Sequence, residues 1–404
     1  MKIAVIGLGF VGLVTSTILA NQGNNIIGID TDKKKIDRLY KNDLYVYEPG
    51  LNDLFIKNKD NIKFSDKYDS IREADISIIC VPTPTINGQI DITYVKNAVK
   101  SVNKVNKATI IAIKSTVVPG TASALSELIN KNIVSNPEFL REGSAIYDTI
   151  NPDRIVVGGK NKYDIEKVSS MWEFTNAPVI QTTNENAELI KYAANSFLAV
   201  KISFINEISN LCEKIPYTDV NVIAKGIGLD HRIGMEFLRA GIGFGGSCFP
   251  KDTRAILAYA KEKSVDLSII SSAINVNNDR INTSIELIEK TIGNFKGKKI
   301  LLLGLSFKND TNDLRESKAV ELANALTLKG SSVYAYDPII KEYNGINVVK
   351  TLDDNKKYDC IIITSEWEDF KDNKIYENNN VIDLRRIVDL AFYPNIKAIG
   401  VGYD

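Results

Sequence analysis

Histidine occurs once and cysteine four times in 404 residues, and both scarcities narrow the chemistry. With a single imidazole, His231, a general base is more readily a Lys, Asp, Glu or Cys. His231 lies in the polar stretch GLDHRIG and reads as a loop residue touching solvent. Cys80, Cys212, Cys248 and Cys360 stand far apart, which excludes paired zinc spacing and a dense disulfide framework. No metal site is therefore expected, and a cytoplasmic compartment is. Charge of one sign is not in excess: 50 Lys plus Arg balance 50 Asp plus Glu. That balance removes the bulk electrostatic case for nucleic acid or an anionic membrane as partner. No apolar run reaches the roughly 18 residues that a membrane helix needs. MKIAVIGLGF begins a glycine motif rather than a signal peptide.

What is present is organised around that motif. The apolar run IAVI (3–6) leads directly into Gly7-Leu8-Gly9-Phe10-Val11-Gly12, a helical stretch closes at Gly23, and NIIGID ends at Asp30. Strand, GxGxxG, helix, strand, acid is the dinucleotide-binding pattern. Its first glycine makes the turn, the second admits a pyrophosphate, and the third packs helix on strand. The acid takes the ribose hydroxyls. No arginine directly follows Asp30, although Lys33, Lys34 and Lys35 are near, so NAD rather than NADP is expected. Further strands are predicted at 76–82, 109–116, 132–139, 155–159 and 178–183, with Cys80 as core packing. Residues 1–185 thus read as an NAD-binding Rossmann domain.

From Asn184 to Lys214 there is neither Gly nor Pro, which predicts one long helix able to link domains and carry a dimer interface. Lys191 and Asn195, four residues apart, share a face of it. Residues 186–295 are expected to hold this helix and a helical dimerisation and active-site region. Residues 296–404 repeat the strand–helix alternation without GxGxxG, having Gly304-Leu-Ser-Phe-Lys308 instead, so a second NAD is not expected there. The fold class is α/β: two doubly wound Rossmann-like domains joined by a long central helix. In GIGFGGSCFPKDT (241–253), glycines announce a tight turn or a close approach, either to a bound sugar or anion or to a packed neighbour. Cys248 follows them. A thiolate attacks an aldehyde, and loss of hydride then leaves a thioester. The residue pattern alone leaves Cys248 open between that nucleophile and a small buried hydrophobe.

Motifs in order carry a resemblance: GLGFVG, VPTP (81–84), KSTVVPG (114–120), NPEFLREGSAIYD (136–148), IKYAANSFLA (190–199), RIG (232–234), GFGGSCFPKDT (243–253) and FKNDTNDLRES (307–317). Over nearly the whole chain it resembles the nucleotide-sugar 6-dehydrogenases of the UDP-glucose/GDP-mannose dehydrogenase family. The resemblance implies that two NAD molecules are reduced in turn while a sugar C6 hydroxyl becomes a carboxylate. It makes Cys248 the nucleophile, Lys191 and Asn195 the oxyanion stabilisers, and Glu138 the base for thioester hydrolysis. Asp252 and Thr116 would position water and the C6 hydroxyl. Glu138, Phe139, Leu140, Arg141 and Glu142 would bind the sugar nucleotide together with Lys191 and Asn195. So would the loop containing Phe237, Gly243, Phe244 and Gly245, with Lys308 on the nucleotide and Arg385 on the sugar. Arg232 would reach the substrate of a partner subunit in a homodimer. NAD would lie on Gly7, Gly9, Phe10, Val11, Gly12, Asp30, Lys35, Thr83, Thr116, Glu142 and Arg315. A UDP-sugar, UDP-glucose rather than GDP-mannose, is favoured by DHRIGMEFLRAGIGFGGSC. One-step hydroxy-acid oxidation and a non-catalytic NAD sensor are the alternatives of other classes.

Overall fold

Isoleucine and valine fill the short apolar runs and become strands buried on both faces, as parallel sheets covered by helices require. The computed structural model describes residues 1–86 and 88–403 and divides into two units, Met1–Ala194 and Asn195–Asp404.

The first unit begins with β1 (Lys2–Ile6), α1 (Phe10–Asn21), β2 (Asn25–Ile29), α2 (Lys33–Tyr40) and α3 (Leu51–Asn58). It continues with β3 (Ile62–Ser65), β4 (Ile76–Ile79), the short antiparallel pair β5 (Thr85–Ile86) and β6 (Gln89–Ile90), then α4 (Thr93–Val105). β7 (Ile110–Ile113), α5 (Thr121–Ile129), β8 (Ile133–Ser135), α6 (Ala145–Ile150), β9 (Ile155–Gly158), α7 (Lys162–Ser170) and β10 (Val179–Thr182) complete it. The sheet order is β10-β9-β8-β7-β4-β1-β2-β3. All neighbours are parallel except β8 and β9. Alternation along β1 makes it doubly wound. Ile3 and Val5 pack with α1 on one face, while Ala4 and Ile6 pack with Val95 and Val99 of α4 on the other. Strand order reverses between β1 and β4, the switch point where such sheets open a ligand crevice.

The predicted strands are present but stop earlier than expected, because side chains take over the backbone partners at their carboxyl ends. Lys114 and Ser115 both donate backbone N–H to the Ile79 carbonyl, and Ser115 Oγ donates to the Val81 carbonyl at 2.7 Å. The segments 114–120 and 136–144 are thereby released from the sheet as loops.

The long helix α8 (Asn184–Cys212) contains the boundary between the units. It ends two residues before the expected Lys214, since Thr218 Oγ donates to the Cys212 carbonyl at 2.9 Å and closes the last turn. The second unit continues with α9 (Val220–Gly228), α10 (Phe249–Glu262) and α11 (Ser268–Ile292). β11 (Lys299–Leu303), α12 (Lys318–Leu328), β12 (Ser332–Tyr336), β13 (Asn347–Val348), β14 (Cys360–Ile363), β15 (Val381–Asp383) and β16 (Lys397–Ala398) follow. They form an all-parallel sheet of order β13-β12-β11-β14-β15-β16. Ile300 and Leu302 pack with Ile285 of α11 and Leu322 of α12. The opposite face, with Leu301 and Leu303, is covered by Phe370 and Tyr376 from short 3-10 turns instead of full helices. Among the described residues, no helix is long and apolar enough to cross a membrane, and no cluster of His, Cys, Asp and Glu suits a metal.

Candidate active site

In the first unit, the turn after β1 explains each glycine separately. Gly7 has φ +93°, and a Cβ there would lie 2.8 Å from the Cys80 carbonyl oxygen. A Cβ on Gly12 would sit 1.9 Å from the Gly7 carbonyl oxygen, so α1 reaches the turn only without a side chain. Among the described residues, nothing lies within 4 Å of the missing Cβ of Gly9, the N-cap of α1. The protein does not require a glycine there, whereas a diphosphate approaching the backbone and helix N-terminus does. Phe10 and Val11 are half-buried in the first turn of α1. Asp30 accepts the Leu8 N–H at 3.0 Å and faces Lys35 at 3.4 Å. The donor and acceptor set therefore fits a dinucleotide. Thr83 is buried in the loop after β4, and Glu142 is half-buried in the turn before α6.

The loops released at the ends of β7 and β8 face α8. Lys191, 3% exposed, places Nζ 2.9 Å from Glu138 Oε1, and Leu140 donates its backbone N–H to Glu138 Oε2 at 2.6 Å. Burial alone would raise the Glu138 pKa. The Lys191 ammonium and its hydrogen bond, the Leu140 N–H and the nearby Lys114 outweigh burial and hold it below the ordinary carboxylate value. The result is a buried carboxylate kept ionised, as a base acting on water requires. Phe139 is half-buried, stacked under the Arg154 guanidinium at 3.8 Å, with Lys191 Nζ 5.4 Å from the ring centroid. Thr116 lines a small cavity together with Lys191, Ser115, Ser135 and Glu188. Arg141 is held in a two-point ion pair by Asp148.

In the second unit, Asn195 donates Nδ2–H to Asp252 Oδ2 at 2.6 Å, and Lys251 Nζ lies 2.6 Å from Asp252 Oδ1. Asn195 and Asp252 are both buried. Cys248 is the N-cap of α10, half-buried, with Ser247 Oγ 3.5 Å from its sulfur. A helix N-terminus favours negative charge, which suits a thiolate at that place. The other three cysteines are buried, and burial pushes the Cys80 thiol up to about 12, leaving it inert. Lys251 binds Asp252, which in turn accepts from Asn195, giving a lysine–carboxylate–amide chain.

The glycine-rich loop corrects one expectation. At Gly243, Gly245 and Gly246 the room that the resemblance implies for a sugar is taken by a packed neighbour. A Cβ on Gly243 would strike Asn277 Oδ1 at 2.7 Å, one on Gly245 the Glu316 carbonyl at 2.2 Å, and one on Gly246 the Phe307 ring at 2.7 Å. Asn277 on α11 reads Phe244 as a neighbouring strand would, accepting its N–H at 2.7 Å and donating to its carbonyl at 3.1 Å. The fully buried Arg280 donates Nε–H to the Gly241 carbonyl at 2.9 Å. Phe237 and Phe244 both pack edge-on against Phe249, the first residue of α10.

Arg385 donates to Glu366 at 2.7 Å, and Arg239 pairs with the same carboxylate. Burial would raise the Glu366 pKa, but the two guanidiniums reverse this and lower it. Lys308 lies beside the Phe307 ring. Arg315, assigned to the cofactor by resemblance, lies in the second unit, where Asp313 holds it in two-point fashion and leaves it largely exposed. Arg232 is likewise exposed and paired with Asp230.

Sequence reasoning passed over Lys114, Glu188, Asn277, Arg280 and Glu366. Their signal was a polar residue on an apolar element: Lys114 ends the run IIAIK, Glu188 precedes Lys191 by three, and Asn277 precedes Arg280 by three. Lys114 is buried with Nζ 4.6 Å over the Trp172 ring, and burial lowers its pKa.

Comparison with known proteins is consistent with this geometry along the whole chain. Three models of the UDP-glucose/GDP-mannose dehydrogenase family match: the NAD binding domain over residues 1–176, the central domain over 185–279 and the UDP binding domain over 301–390. UDP-glucose 6-dehydrogenase TuaD of Bacillus subtilis is 41% identical over 411 residues, covering 96% of this chain and 88% of its own. The UDP-glucose 6-dehydrogenase of Rickettsia conorii is 39% identical over 430 residues, covering 100% and 98%. A UDP-glucose dehydrogenase structure from the archaeon Pyrobaculum islandicum superimposes with a TM-score of 0.91 at 31% identity, over 100% of this chain and 98% of that one. With the glycine turn that fits a dinucleotide in one unit and the Cys248 loop in the other, this chain belongs to the UDP-glucose/GDP-mannose dehydrogenase family.

Proposed function

We propose that the chain oxidises UDP-glucose at C6 to UDP-glucuronate, using two NAD and one water per sugar. The observation that carries the reading is Cys248, set half-buried at a helix N-terminus while the other three cysteines are buried in the protein. A one-step alcohol oxidation has no use for such a thiol. Gly7–Gly12 and Asp30 would hold NAD, which would supply the hydride acceptor for each oxidation at C6. After the first, the Cys248 sulfur adds to the aldehyde carbon and forms a thiohemiacetal. Loss of the second hydride makes a thioester. Glu138, held ionised, takes a proton from water; the resulting hydroxide attacks the thioester carbon, and the C–S bond breaks to return the thiolate. Lys191 and Asn195 are assigned to the C6 oxyanion, and Asp252 and Thr116 to orienting the water and the C6 hydroxyl. Phe139 to Glu142, Phe237 to Gly245, Lys308 and Arg385 are assigned to the sugar nucleotide. Lys35, Thr83, Glu142 and Arg315 are assigned to the cofactor.

The working division is 1–185 for NAD, 186–295 for the helical region and 296–404 for the UDP-sugar, with a homodimer as the active form. Phe197, Phe204 and Leu211 recur every seventh residue on α8 and are 65%, 46% and 55% exposed, an apolar stripe suited to a second copy. Arg232 would then reach the substrate of that copy.

The test is the count of NADH per limiting UDP-glucose at excess NAD. Two, with acid as product, supports the double oxidation, and Cys248→Ser then stops acid formation. One overturns the cysteine mechanism, and none overturns UDP-glucose as substrate.

A further inference from the structure

Glu188 is buried on α8, one turn before Lys191, and the roles proposed above give it no part. Its carboxylate meets three donors. Oε2 accepts the Gly120 N–H at 2.6 Å; Oε1 accepts the Ala122 N–H at 2.9 Å and the Ser135 hydroxyl at 3.1 Å. Gly120 is the N-cap of α5, left-handed at φ +92° and without a side chain to cap the helix, so a carboxylate from another element does so. Ordinary capping needs only a local Ser or Asp. Here the capping group instead ties three elements together: α8, the loop 114–120 and the end of β8. It also forms part of the wall of the same small cavity, with Thr116, Ser135 and Lys191.

Burying a carboxylate there is unfavourable. Burial pushes Glu188 up to about 7 despite the Ala122 and Gly120 N–H groups and the Ser135 hydroxyl, with Glu185 on the same helix adding to the rise. A neutral cap would hold α5 with less penalty. The costly choice makes sense where the bonds must be short and the neighbouring loop immobile.

We propose that Glu188 is a positioning residue for the oxidation, setting Thr116 and Lys191 across this cavity by fastening the 114–120 loop and β8 to α8. The proposal rests on the function proposed above. Its test is Glu188→Gln in the full chain, which keeps the shape but turns one acceptor into a donor aimed at an N–H. The expected result is kcat lowered about tenfold, with KM for UDP-glucose and NAD within about twofold, measured well below the variant's thermal midpoint. A cap acting on stability alone would lower the midpoint and leave kcat near wild type, and that result overturns the proposal. Should the variant fail to fold, Ser135→Ala decides. It removes one of the three bonds, and kcat falls about threefold at unchanged KM if the proposal holds; an unaltered kcat overturns it. Absence of NADH formation by the wild-type chain overturns the function reading and this proposal together; wild-type turnover with an unaffected variant overturns this proposal alone.

Discussion

The turns after β1 and β11 start identically and then diverge, and the point of divergence shows what a dinucleotide site requires. Gly7 and Gly304 both have positive φ, +93° and +100°. Each donates its N–H to the last residue of the neighbouring strand, Ile29 at 2.7 Å and Tyr336 at 2.8 Å. Each is followed by a leucine whose N–H reaches the acid just past that strand, Asp30 at 3.0 Å and Asp337 at 2.8 Å. After that leucine the chains part. Gly9 opens α1 at once, leaving helix N–H groups and clear space at the turn. Ser306 instead turns its own N–H and hydroxyl onto Asp337, and the next helix waits until Lys318. Asp337 also accepts from Ile339 and Ile340 and is buried, so its acceptors are taken internally. The side chain of Asp30 is 11% exposed and keeps acceptor capacity for a ribose. The same scaffold thus binds a dinucleotide only where the acid and the helix end are left available.

The largest expected effect comes from Gly12→Ala, whose Cβ meets the Gly7 carbonyl at 1.9 Å. A loss of about 3 kcal/mol or more is expected from forced overpacking of the turn, read as a lower urea midpoint. The second unit has no counterpart of this close packing, since Asn309 stands at the equivalent place. Next, Asp337→Asn turns an acceptor into a donor facing backbone N–H groups and is expected to destabilise by about 3 kcal/mol. Asp30→Asn, with fewer partners, is expected to change stability by about 1 kcal/mol or less while weakening NAD binding. Equal losses of stability would erase the distinction drawn between the two acids.

A contrast of opposite sign separates Glu188 from Glu366. For Glu188, the unfolded chain releases its proton near the ordinary carboxylate value, whereas the native chain holds it to about 7. Between those values the native state carries the extra proton, so stability falls as pH rises, by a total on the order of 3 kcal/mol. Glu366 has a lowered pKa. Its contribution is present above the ordinary carboxylate value and disappears as pH falls through the depressed one. Urea midpoints of the wild type and Glu188→Gln at pH 5 and pH 8 test this, and a drop of the same size in both chains would rule Glu188 out as its source. The smallest effect on the fold is expected from Gly9→Ser, which installs the residue found at 306. No described residue lies within 4 Å of the added Cβ, so the thermal midpoint should hold while NAD binding weakens about tenfold, some 1.4 kcal/mol. Unchanged NAD affinity would show that the open space at Gly9 is not for the cofactor.

Much of the candidate site was readable because its residues sit in local patterns. Glycine spacing after an apolar strand and an acid at the end of the next strand are short-range arrangements with one dominant physical cause, whereas Cys248 was singled out as the nucleophile only through the family resemblance. Lys191 and Asn195 were legible for a related reason, since helix periodicity places them on one face. The strand ends were less legible. Periodicity carries on through 114–116 and 136–139, and only the Ser115 and Asn136 hydrogen bonds to other strands stop the sheet there.

The amino-acid sequence by itself determined the two α/β halves, the long helix and the cofactor turn, since these follow from period and glycine placement. Only the tertiary structure decided how the buried charges are partnered. Glu138 faces Lys191, Glu188 caps α5, Asp252 bridges Asn195 and Lys251, and Asn277 grips Phe244. The physical reason is range. A strand or helix is specified by neighbours a few residues away, whereas the environment of a buried charge is set by groups 50 or more residues distant in cases such as Glu138–Lys191 and Asn195–Asp252, which sequence pattern does not bring together.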